Sequence, residues 1–216
     1  MAIPTTPINL FEYEYLAKTL LTPEDYDYIA GGATDELTLQ RTRRAFDSIA
    51  LRPRILKNIN KIDLSTKILG STVSFPVLAA PAGGHRKAHA DGELATAKSV
   101  GSMGTLMLVS AHSSYPLEEI AAVANGPLWL QMYLYKDRQL TKEWIHRAEY
   151  VGCKAICLTV DANAPPKRER VLRRMFVGGV SSSGSNFSGV TPENLLKPNQ
   201  GIVVPLTSRV LADRGA

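Results

Sequence analysis

Residues 129–161 read WLQMYLYKDRQLTKEWIHRAEYVGCKAICLTVD, and the spacing of their apolar residues changes twice along the way. From Trp129 to Leu134, and again from Ala155 to Val160, it alternates at period two, as in a strand. Leu130, Met132 and Leu134 share one face of the first segment, with Gln131, Tyr133 and Tyr135 on the other. Ile156, Leu158 and Val160 share a face of the second, opposite Ala155, Cys157, Thr159 and Asp161. Between them Leu140, Trp144, Ala148 and Val151 recur at helical spacing, and Gly152 supplies a stop. Strand, helix and strand in so short a run predict a parallel pair joined by a crossover helix. The apolar faces are then free to meet helices. Gln131, Tyr133, Thr159 and Asp161 face the other way, toward the C-terminal strand ends where α/β folds place ligands. Loop backbone could satisfy any one of these groups; four converging on one end point to a small-molecule site.

Upstream the same alternation recurs. FPVLAAP (75–81) reads as an apolar strand, Asp91 to Val100 as a helix, TLMLVS (105–110) as a strand, and Pro116 to Ala124 as a helix. Strand–helix pairs at an even period of about 25–28 residues predict a parallel α/β sheet, and favour a (β/α) barrel over a doubly wound one. About four of a barrel's eight strands are present. No GxGxxG follows any of them, against a dinucleotide-binding fold.

Residues 1–74 read differently. Asn9 is placed to cap a helix carrying Leu10, Tyr13, Leu16, Ala17 and Leu20, and Thr22-Pro23 to start a second. A third runs from Asp35 to Phe46, and Tyr26, Tyr28, Ile29, Leu37 and Phe46 read as core or half-core residues. IALRPRIL and KIDLSTKILGSTVS (within 49–74) read as short extended pieces forming a lid or barrel floor, turning at Gly70-Ser71. The expected organisation is therefore 1–74 as helices and lid, 75–176 as the first half of a barrel, and 177–216 as an irregular tail. Within the tail, GGVSSSGSNFSG (178–189) reads as a loop rather than a phosphate cradle, and Pro192, Pro198 and Pro205 interrupt every candidate element.

Composition excludes several classes. With 44% hydrophobic and 21% charged residues over 216 positions, this is an ordinary globular chain. No apolar run approaches the ~20 residues of a membrane helix, and MAIPTTPINLFEYEY lacks the layout of a secretory signal. Cys153 and Cys157 are too few for a disulfide framework, so a reducing, cytoplasmic setting is expected. The net charge of +5 favours anionic ligands. Lys167, Arg168, Arg170, Arg173 and Arg174 lack interleaved aromatics and read as a solvated helix face rather than a nucleic-acid site. His85, His89 and Glu93 stand at intervals of four. Gly83-Gly84 and Asp91-Gly92 break the helix that would bring them together, so no metal is expected. No GxSxG elbow or cysteine–histidine signature suggests a hydrolase.

Six segments together carry a resemblance: YDYIAGGATDELTLQRTRRAF, RPRIL, FPVLAAPAG, AHADGELATAKSVGSMGT, QMYLYKDR and KAICLTVD. In order and spacing, from about residue 9 to about 176, the chain resembles the FMN-dependent 2-hydroxy acid oxidases and dehydrogenases, the glycolate and lactate oxidase family. The resemblance implies a (β/α)8 TIM barrel, here incomplete, with FMN at the C-terminal strand ends. It implies an L-2-hydroxy acid substrate of the lactate or glycolate kind, oxidised to the 2-oxo acid, and a homo-oligomer for the full-length enzyme. No membrane or nucleic-acid partner is implied. Tyr28 matches the tyrosine that binds the substrate carboxylate, and Arg168 an arginine near the substrate. Pro81, Ala82 and Gly83 match the segment against the flavin ring, while Ser110, Gln131 and Thr159 match flavin hydrogen-bonding positions. Tyr133 matches the tyrosine near the substrate hydroxyl, and Asp161 the aspartate that supports the catalytic base. Gly83 stands where alanine is frequent, Ala82 where some members are polar, and His112 where several carry an aromatic residue contacting substrate. The family's flavin-edge lysine, histidine base, second arginine and phosphate loops have no counterpart in the 216 residues. The chain by itself is therefore expected to turn over little or nothing. The other reading is a truncated, inactive paralogue or half-barrel that serves as a binding or assembly partner.

Overall fold

The computed structural model describes residues 6–58, 60–161 and 166–178, together with the backbone of 202–205. The Gly/Ser-rich loop read at 178–189 lies, from residue 179 on, outside the described residues. The chain divides into two units: Met1–Lys61 with Pro165–Ser183, and Ile62–Ala164 with Gly184–Ala216.

The first unit is helical. The Asn9 side chain accepts from the Glu12 N–H at 3.0 Å and starts α1 (Leu10–Leu20). Thr22 does the same for α2 (Pro23–Ala30), whose first position is the proline that fits a helix start. α3 spans Leu37–Asp47 and α7 spans Glu169–Gly178. Arg170 pairs with Glu36 at 2.6 Å and Arg174 with Asp27 at 3.0 Å. The basic run is therefore not a wholly solvated face: two of its guanidiniums fasten α7 to acids of the N-terminal helices. A second correction concerns burial. Tyr28, Ile29, Leu37 and Phe46 are exposed, Phe46 by 67%. No residue of α1, α2 or α3 is buried. Helical spacing predicts a shared face, but burial needs a second layer, and the described helices of this unit do not close one over these side chains.

The second unit holds the sheet. β1 (Thr66–Ile68) and β2 (Ser71–Val73) form an antiparallel hairpin whose turn residues, Leu69 and Gly70, both have positive φ. IALRPRIL forms no strand. FPVLAAP is reduced to one parallel bridge, Ala79 opposite Met107, held by Ala79 N–H to Leu106 C=O at 3.1 Å and Leu108 N–H to Ala79 C=O at 2.9 Å. Pro76 and Pro81, which have no N–H, confine the ladder to this short stretch.

β3 (Met107–Ser110), β4 (Leu128–Met132) and β5 (Ala155–Leu158) run parallel in that order, with α4 (Gly92–Ser102), α5 (Leu117–Val123) and α6 (Arg138–Tyr150) between successive strand positions. This is an α/β arrangement with a partial parallel sheet. Each strand has two apolar faces, as expected for a parallel sheet covered on both sides. Met107, Val109, Leu128, Leu130 and Met132 pack with Ile120, Trp144 and Ala148 of the helices. Leu106, Leu108, Trp129 and Ala155 pack with Val73 on the opposite face. Helix α6 opens on Asp137, whose carboxylate accepts from Gln139 N–H at 2.8 Å. It closes where Gly152, at φ +81°, donates to Glu149 C=O at 3.0 Å and Cys153 donates to Ala148 C=O at 2.9 Å. That pair of bonds is a Schellman ending, and it needs a residue that tolerates the left-handed region.

Two expectations about the sheet are corrected. Tyr135 belongs with the helix-side core rather than with the polar face. β4 ends at Met132, so alternation no longer governs the residues after it. In the tail, Ile202–Pro205 forms β6, antiparallel to β5, pairing Leu158 with Ile202 and Ala155 with Pro205. Pro205 ends the strand, a position that proline tolerates.

Candidate functional site

The three parallel strands end together at Ser110, Met132 and Leu158, so the groups at or just beyond those points share one edge of the sheet. Alternation puts Leu108, Trp129 and Ala155 in an apolar layer; one step further along the same face come Ser110, Gln131 and Cys157, and Thr159 lies one step beyond Cys157. Gln131 is only 3% exposed and fully engaged on one side. Its Oε1 accepts from Ala111 N–H at 3.1 Å and from the Ser110 hydroxyl at 3.3 Å. Its Nε2 donates to Thr159 Oγ1 at 2.7 Å. Ser110 Oγ in turn accepts from His112 N–H at 3.1 Å. Buried amides are costly unless satisfied in this way, and the chain of bonds fixes which way the amide points.

Beyond the strands, the His112 and Tyr133 rings lie 5.4 Å apart at 47°. Burial pulls the His112 imidazole below its ordinary range, favouring the neutral ring. Gly83 sits against His112: a Cβ there would come within 2.8 Å of His112 Cβ and 2.9 Å of its carbonyl oxygen. Gly84 N–H donates to that same carbonyl at 3.1 Å. Pro81, Ala82 and Asp161 are exposed. In the helical unit, the Arg168 guanidinium lies over the Tyr28 ring, 4.9 Å from its centre, and donates to the carbonyls of Tyr28 and Gly31. The expected residues thus fall into three groups: a bonded trio of Ser110, Gln131 and Thr159, a ring pair with Gly83 beside it, and the Tyr28–Arg168 stack.

Among the described residues no cluster of three or more His, Cys, Asp or Glu is arranged to hold a metal. His85 opens a short 3-10 turn (His85–Lys87) and its Nδ1 lies 3.0 Å from Thr96 Oγ1; Glu93 is in the first turn of α4. Spacing alone offers Glu93 only as a metal ligand and does not reveal what it touches. Its Oε1 accepts from the backbone N–H of both His85, at 3.0 Å, and Ser114, at 2.9 Å. The available signal was an acid at the start of a helix that follows Asp-Gly, where unpaired N–H groups attract a carboxylate. Burial pushes the Cys153 thiol up to about 12, which leaves it inert as a nucleophile.

A parallel sheet with helices between its strands and a polar row at the strand ends defines the class, an α/β protein with a partial parallel sheet. The chain belongs to the FMN-dependent dehydrogenase family, whose sequence model matches residues 17–199. It is 46% identical over 181 residues to an L-lactate oxidase of Nostoc sp., covering 82% of this chain and 50% of that one. To glycolate oxidase 1 of Zea mays it is 42% identical over 182 residues, covering 84% and 49%. Among solved structures it superposes on mandelate oxidase with a TM-score of 0.81 at 31% identity, covering 90% of this chain and 57% of that one. On lactate oxidase of Pediococcus acidilactici the TM-score is 0.76 at 35% identity, covering 79% and 48%. The chain spans about half the length of these relatives. Among the described residues no helix is long and apolar enough to cross a membrane.

FMN is the cofactor of this family, and the trio passes a test of fit for its ring. After the internal bonds among the described residues, Gln131 has one further N–H and Thr159 its hydroxyl proton to offer, donors suited to the carbonyl and ring-nitrogen edge of an isoalloxazine.

Proposed function

We propose that this chain supplies the ring-facing half of an FMN-dependent oxidoreductase that converts an L-2-hydroxy acid, of the lactate or glycolate kind, to its 2-oxo acid. The reading is carried by Gln131, buried and held by Ser110, Ala111 and Thr159 at the strand ends. It implies that the first four βα units of a (β/α)8 barrel are present. Gln131, Thr159 and Ser110 would hold the ring's polar edge, with the backbone of Pro81, Ala82 and Gly83 against the ring. When bound, FMN supplies the acceptor for the two electrons that leave the substrate α-carbon with its hydrogen.

Tyr28 binds the substrate carboxylate and Arg168 lies near the substrate, a phenol and a guanidinium being suited to an anion. Tyr133 hydrogen-bonds the substrate hydroxyl, and His112, neutral and packed on Tyr133, lines the same wall. Asp161 would orient the base that takes the hydroxyl proton, a base with no counterpart among these 216 residues. The test is titration of the chain with FMN, followed by flavin fluorescence and visible absorbance. Saturable quenching is expected, weakened at least about tenfold in Gln131→Ala, since several hydrogen bonds are lost together. Turnover of lactate or glycolate by these 216 residues is expected to be negligible. A folded chain that leaves FMN fluorescence unchanged at millimolar protein would remove the reading.

The second reading, a half-barrel serving as an assembly partner, draws support from β6. It lies antiparallel on β5, where continuation of the barrel would bring a parallel strand. A colourless dimer on size exclusion would favour it over a yellow complex.

A further inference from the structure

We propose that Glu93 is a positioning residue, whose buried carboxylate ties the loop after Ala79 to the loop after β3 and so sets Gly83 and His112 in place. Its consequence for cofactor and substrate rests on the reading above; the clamp itself does not.

Glu93 is fully buried in the first turn of α4, where the helix's free N–H groups favour a negative charge. One oxygen joins two segments that are distant in sequence, through the N–H of His85 and that of Ser114. Two further bonds stitch the same loops: Gly84 N–H to His112 C=O at 3.1 Å and Arg86 N–H to Ser114 Oγ at 3.3 Å. Together they press Gly83 onto His112, whose ring meets Tyr133. The second carboxylate oxygen, Oε2, is buried without a partner among the described residues. A group that only filled space there would be cheaper as a hydrocarbon, because an unsatisfied buried oxygen costs free energy. The two loop N–H groups are what the carboxylate serves.

The test is amide hydrogen exchange on the full chain without FMN, comparing wild type, Glu93→Ala and Glu93→Gln. In Glu93→Ala the His85 and Ser114 amides are expected to lose protection at least about tenfold, while the β4 amide of Leu130 keeps it. The His112 ring resonances are expected to move with the loops. Glu93→Gln keeps the accepting oxygen and should restore protection at both amides to within about threefold of wild type. Unchanged exchange at His85 and Ser114 in Glu93→Ala would overturn the proposal. So would an equal loss at Leu130, which would mark Glu93 as a general stabiliser. If Glu93→Ala does not fold, Glu93→Gln decides alone: loss of protection at both amides with Leu130 intact overturns the clamp. An FMN titration of the same proteins separates the two readings. Wild type that ignores FMN sinks only the flavin reading, whereas normal FMN affinity in a loosened Glu93→Ala denies the clamp any role in cofactor placement.

Discussion

Gln131 shows how a single side chain orders the strand ends. Replacing it by leucine keeps the volume and removes the acceptor of a buried N–H, that of Ala111. Leaving that donor unsatisfied, with the Ser110 and Thr159 hydroxyls unpartnered from Gln131, is expected to cost about 2–4 kcal/mol in urea unfolding at unchanged m-value. A loss below about 0.5 kcal/mol would mean that the trio is not held as described. Gly83 makes a sharper case. Gly83→Ala is expected to destabilise by about 1–3 kcal/mol, and by the same amount in a His112→Ala background. The obstacles are the Cβ and carbonyl of residue 112, which the second substitution leaves in place. Relief in the double mutant would show that the imidazole is the barrier instead. His112 also adds a pH dependence. Its folded pKa lies below the ordinary 6.5, so between the two values the unfolded chain binds a proton that the folded chain does not. Stability therefore falls as pH drops below about 6.5, levelling once the folded pKa is passed. His112→Asn is expected to flatten that part of the curve, and an unaltered curve would assign the slope to other groups.

At the scale of elements, capping and period were readable and burial was not. Asn9, Thr22-Pro23 and Gly152 announced helix boundaries because each solves a local problem of unpaired backbone groups or left-handed geometry. The inner and outer faces of β4 and β5 followed from period two as far as the strands extend. Past Met132 the rule lapsed, and Tyr135 turned into the core. FPVLAAP looked like a full strand because its composition is apolar, yet its prolines withhold the N–H groups a ladder needs. The gathering of Ser110, Gln131 and Thr159 at the strand ends was legible from alternation together with the family resemblance. Glu93 was not, since its partners are backbone N–H groups of loops, which no side-chain motif records. Gly152 offers the cleanest test at this scale. A side chain there would meet open space, so any cost of Gly152→Ala is conformational, and about 1 kcal/mol is expected. Gly152→Asn should cost less, because asparagine visits the left-handed region more readily. Equal costs would point away from the backbone explanation.

Across the whole molecule apolar burial is uneven, and the unevenness makes a prediction about how the protein comes apart. The sheet-bearing unit contains both packed clusters, with Leu106, Ile120, Leu130 and Ala155 fully covered. Helices α1, α2 and α3 of the other unit carry no buried residue and display Leu10, Phe11, Ile29 and Phe46 to solvent. At about 25 cal/mol per Å² of apolar surface removed from water, packing stabilises the sheet unit far more than these helices. Ion pairs such as Arg43–Asp47 do not close the gap, since exposed pairs contribute about 0–1 kcal/mol each. The chain's two tryptophans, Trp129 and Trp144, both lie in the sheet unit, so their fluorescence reports that unit alone. Far-UV circular dichroism reports helices from both. In a urea titration the dichroism signal is therefore expected to begin falling at lower denaturant than tryptophan emission, and amides of α1–α3 should exchange faster than those of β3, β4 and β5. Superimposable transitions from the two probes would instead require the helical unit to draw its stability from contacts beyond its own packing.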